Sequence, residues 1–295
     1  VAARVGSELV RLTDDYFIKI LEDGRPEIKL VRPGRDWNAS SIEEVTVQVE
    51  ASDDYALESL QLRYAVNGGD WQSVPLSAEG QQVQLDHVFL LEQMQDADVN
   101  LQAGDLITYY AEAKDKEKTT STNMYFIQVQ PFDRRYTQSQ QGGAAGQQGS
   151  EQAEISQRQK EIIVSTWNLI REKAEAGGEV KDTTKDNAVL LSGLQTTLAE
   201  QARTLAERTR ARELNADEQI ATFVEHLDKA AEAMAPASEK LGELSLEEAI
   251  KPEQEALQHL LRAEAVFTDM QVAMQQQGGG GGGGGRAGQD LAEMF

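Results

Sequence analysis

The chain has 295 residues, enough for two domains, with no cysteine and a formal net charge of −22. The lack of cysteine removes disulfides, thiolate metal centres and cysteine nucleophiles. The acidity runs through both halves and disfavours nucleic acid and anionic lipid surfaces, which call for clustered Lys and Arg.

No apolar run is long enough to span a bilayer, and no signal-peptide pattern stands at the start. The chain opens on Val1 and ends on a helical beginning, Asp290-Leu291-Ala292-Glu293-Met294-Phe295. It reads as a piece of a longer or processed protein, with any membrane anchor expected upstream and no membrane contact from the fragment itself.

The first pattern, Tyr16-Phe17-Ile18-Lys19-Ile20, alternates like a strand and stops at Asp23-Gly24. Residues 1–25 are read as the remnant of a preceding β domain, or else as an extra edge strand on the next one. Pro26 and Pro33 then flank Ile28-Lys29-Leu30-Val31, a first, edge-type strand. Period-two alternation recurs at Glu44–Val49, Leu60–Tyr64, Val83–Leu85 with Val88 and Phe89, and Tyr125–Val129. Leu106–Ala113 is a longer strand entered from Ala103-Gly104-Asp105. Asn67-Gly68-Gly69-Asp70 marks a hairpin, because Asn and Gly tolerate positive φ; Trp71 starts the return strand. About seven short strands with turns between them predict an immunoglobulin-like or fibronectin-like β-sandwich over 26–133.

A Gln/Gly-rich linker follows at 134–152, and after it the apolar period becomes 3.6. One helix carries Ile155, Ile162, Ile163, Trp167 and Ile170 and fades at Gly177-Gly178. A second carries Leu191, Leu194, Leu198, Ala202 and Leu205. A third, with a capping signal at Asn215 and Glu218, carries Ile220, Phe223, Val224, Leu227, Ala231, Met234 and Leu241. Pro236 is expected to kink or split it, and Gly242 to end it. A fourth opens on Ser245 and Glu248 and carries Leu257, Leu260, Leu261, Phe267, Met270 and Met274; Pro252 suits a first turn. Each stripe needs a partner, so 153–277 is expected to be an elongated antiparallel helical bundle or coiled coil that faces solvent. The glycine tract at 278–288 reads as a second flexible linker, and 289–295 as the start of a further segment.

Chemistry is sparse. The glycine run is followed by Arg286-Ala287, where a phosphate loop needs Lys and then Ser or Thr. His87, His226 and His259 have no zinc-protease spacing, although a pair between the third and fourth helices is conceivable. Asp53, Asp54, Asp105 and Asp115 are calcium candidates at one end of a sandwich; Asp at turns is the more ordinary explanation. Trp37, Tyr55 and Trp71 are candidates for a glycan platform, against the more usual place of aromatics in a core. Arg203, Arg208, Arg210 and Arg212 complement a helix C-terminus or neighbouring acidic faces. No catalytic residue, cofactor or firm metal ligand is assigned.

Several segments together resemble a family of large bacterial envelope proteins, the domain of unknown function 4175 class. They are Pro26-Glu27-Ile28 with Pro33-Gly34-Arg35-Asp36, Ala51-Ser52-Asp53-Asp54-Tyr55, Tyr64–Gly69, Gly104-Asp105 leading to Tyr109-Tyr110-Ala111, Tyr125–Phe132, Ile155–Ile162 and Leu260–Ala265. The resemblance implies immunoglobulin-like repeats, an anchor upstream and an extracytoplasmic, periplasmic-side location; it supplies no active-site residues. The expected function is a non-enzymatic structural or protein-interaction module, with other envelope proteins or a second copy as partner through the helices. The alternatives are a cell-wall glycan-binding module and a calcium-stiffened spacer.

Overall fold

A computed structural model describes residues 2–11, 23–77, 80–94, 101–131, 151–211 and 218–278. The expected strand at Tyr16–Ile20, nearly all of the 134–152 linker, the Asn215 cap, Arg212, the glycine tract beyond Gly278 and the closing segment lie outside the described residues.

The chain begins with a hairpin that the alternation analysis did not find, β1 (Ala2–Val5) paired antiparallel with β2 (Glu8–Arg11). Two further sheets follow. One has the order β3 (Glu27–Arg32), β5 (Glu44–Ser52), β8 (Gln82–Leu90). The other runs β4 (Trp37–Ser40), β11 (Tyr125–Gln130), β9 (Leu106–Lys114), β6 (Ser59–Val66), β7 (Gln72–Leu76), with β10 (Thr119–Ser121) paired to β9. All pairs are antiparallel except β4 with β11, which is parallel. Inward side chains of both sheets share one core, including Val45, Val47, Val49, Leu60, Leu62, Phe89, Ile107, Tyr109 and Ile127. The β6–β7 turn is the expected hairpin, with Asn67 at φ 53° and Gly68 at φ 71°.

Four helices follow: α1 (Glu151–Glu175), α2 (Asp182–Ala211), α3 (Glu218–Gly242) and α4 (Leu246–Gly278). Each packs on the next, and α1 also packs on α4. The predicted stripe of α3 is buried at every position, as is that of α4 at Leu257, Leu260, Leu261, Phe267 and Met270. Leu194 departs from the expectation: it is 47% exposed, on the rim of an apolar groove between α1 and α2. Pro236 does not split α3, which is continuous through it. Pro252 is not in the first turn of α4; the helix starts a turn and a half earlier, where the Ser245 carbonyl accepts from Glu248 and Ala249 N–H. The left-handed residue closing α3 is Leu244, at φ 61°, rather than Gly242. Its side chain packs on the helical core, which offsets the strain of that backbone region.

The largest departure concerns the helices as a group. They do not face solvent on all outer sides. One face of α1 and one of α4 lie against the outer surface of the β9 sheet, so the β part and the helices form a continuous packed body.

Candidate functional site

The junction of sheet and helices joins an apolar cluster to several directed polar contacts. Strand β9 is buried on both faces from Leu106 to Ala111. Its even-numbered Leu106 and Tyr110, with Met124 and Phe126, meet Ile163, Trp167, Ile250, Leu257 and Leu261 in one cluster. The Tyr110 and Trp167 rings lie 4.4 Å apart, and Trp71 stands edge-on to Tyr110 at 5.1 Å. Burial pushes the Tyr110 phenol up to about 12.

Polar contacts fix the register of this junction. Trp167 Nε1 donates to the Thr122 carbonyl at 2.9 Å. Arg262 on α4 donates through Nε and Nη2 to Asp105 Oδ1, at 3.1 and 2.7 Å. Asp105 is fully buried, and its Oδ2 accepts from Gln102 N–H at 2.7 Å, so the carboxylate holds both its own turn and the helix. Next to it Gly104 adopts φ 89°, and a Cβ there would stand 2.6 Å from the Arg262 Cα. Gly68 is in the same position against Lys251 and Glu255: a Cβ would lie 2.9 Å from the Lys251 carbonyl. Two glycines thus let two β turns approach the α4 backbone closely.

The residues proposed from sequence fall in separate places. Asp105 belongs to the junction just described. Asp53 and Asp115 cap their own turns, and Asp54 holds the chain as it enters the β part. Asp53 Oδ2 accepts from Tyr55 and Ala56 N–H at 3.0 and 2.8 Å. Asp115 Oδ1 accepts from Glu117 and Lys118 N–H, each at 2.6 Å. Asp54 Oδ2 accepts from Gly24 N–H at 3.1 Å. The four aspartates do not form one calcium-loop constellation, because Asp105 is committed to Arg262.

The aromatic candidates are not brought together either. Trp37 lies on β4, at one edge of its sheet, packs toward the core between the sheets, and has the Arg35 guanidinium over its ring. Trp71 precedes β7 at the other edge and packs on the helical side. A shared Trp37–Trp71 platform therefore does not form. Tyr55 is exposed, in the loop of Asp53.

Among the described histidines, His226 and His259 do meet across α3 and α4, with their Nδ1 atoms 3.4 Å apart. Burial holds both below the ordinary imidazole range, His259 at about 4; His226, Arg262 and Lys229 add to the shift at His259. Their ring centroids are 5.5 Å apart. The two nitrogens thus point at each other along the line of centres, which suits a shared proton and not the angled approach of two ligands to a tetrahedral metal. Arg210 pairs with Asp228, and Arg203 donates to the Ala231 carbonyl, so these two arginines serve helix packing.

A further polar group escaped sequence analysis. Glu253, one residue past Pro252, is fully buried between helices. Its Oε1 accepts from the Thr166 hydroxyl at 2.8 Å, and Oε2 has no partner. Gln159 and Gln195 form a reciprocal amide pair beside it, and Gln159 also donates to the Glu253 carbonyl. Burial pushes the Glu253 carboxyl up to about 8. The one available signal was a Glu at a position where the apolar period of α4 calls for a buried residue.

Among known proteins, the family model for a Domain of unknown function (DUF4175) matches residues 75–293, from within β7 to beyond α4. No curated protein matches the chain.

Proposed function

This chain belongs to the family of the Domain of unknown function DUF4175, and from that premise we propose that it is a non-enzymatic structural and protein-interaction module of a large bacterial envelope protein. The observation that carries the reading is the junction: a strand buried on both faces, two glycines closed against a helix backbone, and a buried Asp105–Arg262 pair. Such an arrangement joins the two parts of the chain rigidly.

The strand order supports the finer assignment of the β part as an immunoglobulin-like sandwich. Its first, second and fifth long strands lie on one sheet, and its third, fourth, sixth and seventh on the other, a two-sheet partition of the immunoglobulin-like kind. The helices support a bundle whose outer surface is free to meet another envelope protein or a second copy. An extracytoplasmic location and an upstream anchor complete the proposal on the strength of the family.

The test has two arms. Purified chain incubated with peptidoglycan, soluble polysaccharide or unfolded protein should release no reducing ends or amines above a heat-treated control. Crosslinking in cells that carry the intact parent should retrieve other envelope proteins or a second copy. Turnover that scales with protein concentration overturns the reading.

A further inference from the structure

The turn roles of Asp53 and Asp115 use only one oxygen of each carboxylate. The other two oxygens, Asp53 Oδ1 and Asp115 Oδ2, are buried with no hydrogen-bond partner. Their residues are 9% and 3% exposed. Both line one cavity of about 350 Å³ with Asp23, Tyr55, Ala56 and Lys116. Leaving an ionised oxygen buried and unpaired is costly, and two in one cavity repel each other. Turn capping accounts for one oxygen of each carboxylate and leaves the second buried without a partner. Two of the neighbouring cations direct their hydrogen bonds to backbone carbonyls, while Lys116 lines the cavity itself. Lys118 Nζ donates to the Asp23 and Gly24 carbonyls, and Arg25 to the carbonyls of Thr119 and Glu175.

We propose that this cavity is a calcium site, with Asp53 Oδ1 and Asp115 Oδ2 as its fixed ligands and the Asp23 carboxylate as the ligand that closes it. The donors are all hard oxygens, which select calcium or magnesium over transition metals; the irregular arrangement suits calcium's loose six-to-eight-fold shell better than magnesium's octahedron. The carboxylates line the cavity without converging: among the described residues, no group of three or more His, Cys, Asp or Glu is set to hold a metal ion as it stands. Binding therefore draws Asp23 inward and competes with Lys116 and Lys118, so the affinity belongs to the weak, extracellular class of about 10⁻⁴ to 10⁻³ M. The consequence is mechanical. Asp23 and Gly24 are the chain's entry to the β part, already held by Asp54, and Arg25 reaches the C-terminal end of α1. An ion here fixes the entry segment to both the sheets and the helices. The assignment goes beyond the module reading and stands without it.

The experiment is a terbium titration of the full chain, read by luminescence sensitised from Tyr55 in the cavity wall. Saturable emission that calcium displaces is expected, together with a rise in melting temperature with calcium that magnesium does not match. Asp53→Asn combined with Asp115→Asn keeps an oxygen for each turn and should weaken binding at least tenfold; Asp86→Asn, on β8 away from the cavity, should not. Tyr55→Phe should dim the emission and leave the calcium-dependent melting shift intact. Absence of any calcium effect on the wild-type chain overturns the proposal, even if the double variant fails to fold. So does a calcium effect of equal size in the double variant, or one equalled by magnesium, which would mark diffuse screening of an acidic surface.

Discussion

Arg262 and Asp105 show how a single pair can hold two parts of a chain in place. Asp105 is fully buried, so Arg262→Ala leaves a carboxylate with no counter-charge. Breaking a buried pair from one side costs about 3–5 kcal/mol, and chemical denaturation should show a loss of that size. The paired change Asp105→Asn with Arg262→Met should recover a good part of it, since no charge is then stranded. Glu253 makes a prediction with a sign. Its folded carboxyl titrates at about 8, above the ordinary 4.5. Between those values the folded state binds more protons than the unfolded one, so stability falls as pH rises through this window and levels off above it. Melting temperatures from pH 5 to 9 should show that fall. Glu253→Gln should flatten it, matching the parent near pH 5 and exceeding it near pH 9; an unchanged slope would remove Glu253 as its source.

Among the elements, β9 and α4 carry the architecture. The run Leu106-Ile107-Thr108-Tyr109-Tyr110-Ala111 was legible as a strand, and its lack of polar alternation is what burial on both faces produces. Single-sheet alternation elsewhere, as in Glu44–Val49, was legible because one face of β5 is solvated. The short strands β4 and β10 were not, since four and three residues give too little pattern. The helical stripe of α3 was readable for the same reason as β5, one surface buried and the other wet, and that of α4 because its sheet-facing Leu257 and Leu261 adjoin its helix-facing Leu260. Helix α1 was only half readable. Its Ile155, Ile162 and Leu169 face the other helices, while Ile163 and Trp167 face the sheet. Two adjacent stripes merge into one broad stripe in a sequence, and nothing in the spacing assigns the second to a β partner. Two substitutions test this element pair. Trp167→Ala removes a buried ring and its hydrogen bond and should cost about 3–5 kcal/mol. Gly104→Ala should cost about 1–3 kcal/mol from overpacking against α4, with added strain from its positive φ; a neutral effect would mean that the turn does not press on the helix.

At the scale of the whole molecule, the division into a β part and a helical part was plain from the change of period, and the structure keeps it. The relation between the parts was not plain. The Gln/Gly-rich tract reads as a flexible linker, whereas the β9 sheet and the helices pack together through the β9 face. Gly104 and Gly68 read in the sequence as turn residues, and their second use as points of close approach depends on an element more than a hundred residues away. The acidic cavity at Asp53 and Asp115 was partly legible, because the aspartates were visible and their unpaired oxygens were not. A rigid joint requires α1 and α4 to be locked to the β9 sheet. Native-state hydrogen exchange on the full chain in rising denaturant measures that directly. Amides of β9, β11, α1 and α4 should converge on one common opening free energy, because none can open without the others. Helices that exchange freely while β9 stays protected would contradict it.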